Sequence, residues 1–288
     1  MNNHFVFVDD LSDIRQGDII RQCSETTPQR QVWGVIITAD CDIAQRKAGN
    51  RYTWLEIITL EDYLELDWAP GQLRKLIEKQ ANSSSEELNG LIKSIAPNLA
   101  PLSPNSLCTW LSDTTPEEIL NNINSKNKKI DQKLISSLKA IRIALDYQDN
   151  TSELDRLRKA WETLGLNENR QKTNIRSALN GGGFPDYVVI PELPDTEEYG
   201  FVIRLRSFFS LDSNELFNSR ADAKINNKPN AFYRIGRFSD WLRFFIVQKV
   251  AFLFSRIGMT EEFEGDCEEM ADIAIDAIYK KSENEKSI

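Results

Sequence analysis

Three runs decide how this chain is read: GDIIRQC at residues 17–23, QVWGVIITADCDI at 31–43 and YTWLEIITL at 52–60. Each is rich in β-branched and aromatic residues and is bounded by polar or Gly/Asn-containing sequence, the composition of strands in a half-buried sheet. Consecutive runs of this kind predict that an antiparallel sheet begins here.

Moving outward, the pattern changes after Leu60 to helical spacing and keeps it for about 120 residues. Thr115-Pro116-Glu117-Glu118 is a capping box with proline at the first helical position. Asp131 precedes a Leu134, Leu138, Ile141, Leu145 stripe, and Ser152 precedes Leu154, Leu157, Trp161 and Leu164 with Gly165 as the stop. The polar runs at 82–87 and 124–129 predict loops. Strand composition returns after Gly181–Gly183 with FPDYVVIPELP and YGFVIRLRSFF, joined by a turn through Asp195. Residues 239–257 are apolar nearly all round, which predicts a central helix burying Trp241, Phe245, Phe252 and Ile257. An acidic helix over about 268–281 follows, with Met270, Ile273, Ala277 and Ile278 on one side.

Composition narrows the function. With 41% hydrophobic and 27% charged residues, the chain is globular rather than disordered. One histidine, His4, leaves no His-based triad and no HExxH zinc site. The four cysteines are far apart with no CxxC pair, so reduced thiols are expected rather than a disulfide framework. No apolar run approaches the roughly 20 residues of a membrane span, and the acidic start does not read as a signal peptide, so a cytoplasmic protein is expected. Ten bases against four acids give residues 201–259 a charge of +6, and three against ten give residues 260–288 a charge of −7. That tail is expected either to be a solvated helix or to screen the basic stretch from an anion.

The order of motifs resembles the MazF/PemK toxin family: Gly17-Asp18-Ile19 as the opening strand, Gly34–Asp40 as the second, Leu55–Thr59 as the strand reaching the active site, and Arg234–Asp240 as the closing basic turn. The resemblance covers about half the chain. It implies an α+β protein: a discontinuous SH3-like antiparallel β-barrel (12–63 and 184–237), a helical insertion (64–183), and C-terminal helices with the acidic tail (238–288). Active members of that family are metal-independent endoribonucleases, so the resemblance implies no cofactor and nominates Thr59 with an arginine as catalytic. Val32-Trp33 stands where the family usually has Arg-Pro, and Arg30 is the nearest arginine. The chain is therefore read as a non-catalytic interaction or regulatory component of a bacterial toxin–antitoxin or antiphage module, with a MazF-type ribonuclease as the alternative. Expected partners are a protein of that module, single-stranded RNA, or a second copy as a homodimer, and no membrane.

Other residues carry further chemistry. Arg204, Arg206, Arg234, Arg237 and Arg243 lie among aromatics, a composition suited to single-stranded RNA or an acidic partner, or to arginines paired with carboxylates. Asp40 and Asp42 would share a side if their strand continued, with Glu56 on a neighbour, but two aspartates are few oxygens for Mg²⁺. A turn salt-bridged by Arg46 or Arg51 is the stronger reading. Carboxylates on both sides of Cys41 would raise its thiol pKa, the wrong direction for a nucleophile.

Overall fold

The computed structural model describes residues 4–23, 31–123, 131–146, 151–179, 186–226, 228, 231–255 and 270. Residues 1–239 form one compact unit and 240–288 a second.

The first unit is α+β, with a mainly antiparallel sheet curled into a half-barrel. In chain order its strands are β1 (Phe5–Val6), β2 (Asp18–Gln22), β3 (Trp33–Ile36), β4 (Arg51–Thr59), β5 (Tyr187–Ile190), β6 (Phe201–Asp212), β7 (Leu216–Phe217) and β8 (Phe232–Phe238). They pair in the order β1-β8-β2-β3-β4-β6-β5, with β7 parallel to β8 and every other pair antiparallel. The five strands expected at 17–23, 32–39, 53–60, 186–191 and 199–206 thus lie in one sheet, although β3 ends earlier and β6 runs further than their composition suggested.

Register follows from what each face must bury. Trp33 pairs with Ile57 and Val35 with Leu55, all below 4% exposed, so a slip of one residue would turn these side chains to the other face. Gly34 sits mid-strand because the Trp54 ring crosses it: a Cβ there would lie 2.3 Å from Trp54 Cε3. Trp54 stacks on Phe209 at 4.7 Å and leans on Phe232 at 5.3 Å, which joins β4, β6 and β8 on one face.

Between β4 and β5 come α2 (Leu60–Tyr63), a π-helical turn (Leu64–Trp68), α3 (Ala69–Lys93), α4 (Pro104–Asp113), α5 (Pro116–Ile123), α6 (Gln132–Leu145), α7 (Glu153–Thr163) and α8 (Glu168–Leu179). The caps read from sequence are made. Thr115 and Glu118 bond each other's backbone N–H at 3.2 and 2.9 Å, Asp131 accepts from Lys133 N, and Ser152 accepts from Asp155 N. Gly165 takes a positive φ of 83° at the end of α7. The loop expected at 82–87 is instead the middle of α3, where Ser84 and Ser85 are buried and Ala81 and Leu88 continue the apolar stripe. Small residues on a buried face let neighbouring helices approach, and that packing outweighs their low helix propensity.

The helices share a core with the sheet. Ile58 and Val202 cluster with Tyr63, Trp68, Leu73, Leu157 and Trp161. The π turn accounts for three long-range bonds: Glu65 accepts from the N–H groups of Glu153 and Leu154 at the start of α7, and Asp67 accepts from Arg204 of β6. Arg156, almost wholly buried, donates to the carbonyls of Ala144 and Asp146 at the end of α6 and so ties α6 to α7.

Two short helices belong to the sheet's loops: α1 (Asp40–Ala44), after β3, and α9 (Arg220–Asn226), after β7. The second unit contributes α10 (Asp240–Phe254). Its burial is not as expected. Leu242 and Ile246, one turn apart, are the buried pair, while Trp241, Phe245 and Phe252 are 52%, 39% and 38% exposed. An i, i+4 pair defines one narrow buried stripe, and the aromatics fall off it. Phe245 and the neighbouring Phe244 meet cations of the same helix, Lys249 over Phe245 and Arg243 over Phe244. Ile257, Gly181–Gly183 and the acidic tail apart from Met270 lie outside the described residues.

Candidate functional site

Thr59 closes β4 and caps α2, its hydroxyl accepting from Asp62 N at 3.0 Å. A Ser/Thr side chain in this position satisfies a helix N–H that would otherwise lack a partner. Arg30, the arginine nominated to act with Thr59, lies outside the described residues.

The arginines of the basic stretch are brought to carboxylates, and to three separate places. Arg204 pairs with Glu56 at 2.9 Å and Asp67 at 2.5 Å. Burial works against its charge, but these hydrogen bonds hold its pKa above the usual value. Arg206, on the exposed side of β6, pairs with Asp186 at 2.8 Å. Arg234 and Arg237 of β8 converge on Asp18 at 3.4 and 2.5 Å. In the second unit Arg243 pairs with Asp240, three residues before it.

Asp18 is fully buried, and its role was not evident from sequence beyond the Gly-Asp motif. Arg15 N also donates to it, at 2.9 Å. Arg234 donates further to the carbonyls of Asp9 and Asp13, and Arg237 to that of Asp13. One buried carboxylate with two guanidiniums therefore fixes the backbone of residues 9–15 against β8.

Those fixed residues form one wall of a polar cleft of about 760 Å³. Asp13 and Arg15 line that wall, Asp40, Asp42 and Arg46 line the other, and Tyr52 lies at the start of β4 between them. The strand that would have put Asp40 and Asp42 on one side does not continue to them. β3 ends at Ile36, and both sit in α1, where residues two apart do not share a face. The ladder stops because the Thr38 hydroxyl takes the N–H of Thr53 at 2.7 Å. Asp40 accepts from Gln16 N at 2.8 Å, and Gln16 Nε2 donates to Ile37 O at 2.9 Å, which ties the two walls together. The turn after α1 closes on Asp42, whose carbonyl accepts from Lys47 N at 2.9 Å, with Arg46 at φ 55°.

Asp42 pairs with neither Arg46 nor Arg51. Among the described residues no cluster of three His, Cys, Asp or Glu is arranged to hold a metal. Burial, then the nearby Asp13 charge, raises the Tyr52 phenol above its ordinary pKa. Thr59 and the cleft lie at opposite ends of β4, eight residues apart or about 26 Å at roughly 3.3 Å per residue.

Compared with known proteins, this chain matches no family model, no curated protein and no solved structure.

Proposed function

We propose that this chain is a non-catalytic interaction or regulatory component of a bacterial toxin–antitoxin or antiphage module, acting in the cytoplasm on a half-barrel of MazF/PemK type. The observation that carries the reading is the pairing of the basic stretch: Arg204, Arg206, Arg234, Arg237 and Arg243 each face a carboxylate of this chain. A ribonuclease of that type needs guanidinium charge available to the scissile phosphate and a group to move a proton. Here the described arginines of β6 and β8 neutralise the protein's own acids, and the Thr59 oxygen caps a helix. Among the described residues no helix is long and apolar enough to cross a membrane, in keeping with the cytoplasmic reading.

The test is incubation of the full chain with unstructured single-stranded RNA, without metal, followed by gel analysis of the products. Intact RNA is expected. Cleavage that disappears in Thr59→Val would replace this reading with the endoribonuclease. Co-expression with the protein encoded beside it, followed by size-exclusion chromatography, is expected to give a stable complex; separate elution of the two would count against an interaction role.

A further inference from the structure

The charges of the polar cleft contrast with those of the basic stretch. Arg15 and Arg46 make no side-chain ion pair with any described carboxylate, and Asp13 and Asp42 make none with any described base. Both signs line one cleft without meeting. Its walls are fixed from behind, one by Arg234 and Arg237 holding the Asp13 carbonyl and the other by the α1 turn closing on Asp42. Such a site is preorganised, so a ligand that completes these charges does not have to order the backbone that presents them.

The remaining lining narrows the ligand. Tyr52 contributes an aromatic ring, and Asn50, Ser213 and Asn218 contribute neutral donors and acceptors. Ser213 N bonds Asn50 O at 2.7 Å, so the backbones of these two residues are held together at the rim. The cleft volume lies within the roughly 300–1,000 Å³ of small-molecule sites, although its lining is more polar than most. A ligand that uses every group needs an anion for the guanidiniums, adjacent N–H donors for a carboxylate, hydroxyls for the amides and a flat ring. Guanine offers two neighbouring N–H donors to one carboxylate, whereas the adenine edge offers one donor beside an acceptor.

We propose that the cleft binds a guanine nucleotide, with the phosphate at Arg15 and Arg46 and the N–H edge of the base at Asp13 or Asp42. The same chemistry is offered by a free nucleotide and by a guanosine within an RNA strand. The site is distinct from the Thr59 corner and does not depend on the interaction role proposed above.

Isothermal titration of the full chain with GMP, with a guanosine-containing trinucleotide and with inorganic phosphate tests it, alongside Arg46→Ala and Asp42→Asn checked for native circular dichroism. Either GMP or the trinucleotide is expected to bind below about 1 mM, with about tenfold weakening in each variant, the loss of one charge-assisted contact. Binding by both ligands or by GMP alone identifies the free nucleotide, and binding by the trinucleotide alone identifies the strand. Three results overturn the proposal: neither guanosine ligand binds, inorganic phosphate binds as tightly as they do, or both variants bind like the unaltered chain.

Discussion

Removing the Asp18 carboxylate is the most direct probe of how this fold is held. Its side chain is 0% exposed, against 1% for Arg234 and 15% for Arg237, so water cannot take its place once it is gone. In Asp18→Ala, Arg234 would keep only the carbonyls of Asp9 and Asp13, and two cationic groups would face each other without a counter-charge. Breaking one side of a buried pair costs about 3–5 kcal/mol, whereas an exposed pair is worth about 0–1 kcal/mol. In a unit of this size each kcal/mol lowers the melting temperature by about 2–4 °C, so a fall of roughly 6–20 °C is expected. Asp186→Ala is the control, since it breaks the exposed, solvent-screened pair with Arg206 and is expected to leave the unfolding midpoint close to that of the unaltered chain. Urea unfolding followed by circular dichroism, at equal slope, gives both numbers. The reasoning fails if Asp18→Ala costs no more than Asp186→Ala.

Three further outcomes follow from other contacts. Glu65→Ala removes the acceptor of two N–H groups at the start of α7 and should lower stability by about 1–2 kcal/mol in the same urea assay; an unchanged midpoint would mean the π turn does not anchor that helix. Gly34→Ala places a methyl 2.3 Å from the Trp54 ring and should cost about 1–3 kcal/mol with a change in tryptophan fluorescence, and neutrality would show that Trp54 can move aside. Burial and then the hydrogen bond with Tyr187 raise the pKa of Tyr63, so its neutral form stabilises the fold below about pH 10 and that contribution is lost as pH rises further. Tyr63→Phe should therefore flatten the decline of melting temperature above about pH 10, and parallel declines would assign the alkaline loss to other groups.

What was legible in the sequence was local. β2, β3, β4, β5 and β6 announce themselves through β-branched and aromatic runs, and the caps at Thr115, Asp131 and Ser152 through side chains that bond backbone two or three residues away. The errors came where a partner distant in sequence decides. Residues 37–43 read as more strand, but the Thr38 hydroxyl takes the ladder position opposite Thr53 and the chain turns into α1. The polar run at 82–87 read as a loop because burial of Ser84 and Ser85 depends on neighbouring helices. The aromatics of α10 read as core because composition does not say which side of a helix is covered. Of the cleft, Asp40, Asp42 and Arg46 were singled out, as a salt-bridged turn, but Asp42 pairs with neither Arg46 nor Arg51 and the opposite wall was not seen. A usable signal was the cluster of polar residues at both ends of the strand boundaries, Asp13 and Arg15 before β2 and Arg46 and Asn50 before β4, which antiparallel β2–β3–β4 pairing must bring to one edge.

The arginines of the basic stretch also show how the cleft is built. β8 carries its arginines at 234 and 237, and β2 pairs antiparallel to it with Asp18 opposite Arg237, so the counter-ion comes from the strand next to it in space, 219 residues earlier in the chain. Because Asp18 has no exposure, the guanidiniums are held at fixed positions, and their remaining N–H groups point at the carbonyls of Asp9 and Asp13. A buried charge pair adds little net stability over an apolar substitute, since desolvation offsets the attraction. What it adds is direction: apolar side chains in place of Asp18, Arg234 and Arg237 would pack as well but would remove the guanidinium donors that hold the carbonyls of Asp9 and Asp13. It follows that Asp18→Leu combined with Arg234→Met and Arg237→Met, which removes both guanidiniums with their shared counter-ion, should recover much of the stability lost in Asp18→Ala while leaving the cleft wall loose. Hydrogen exchange at the amides of residues 11–16 would read that difference, and protection equal to that of the unaltered chain would show that the wall is set by its other contacts alone.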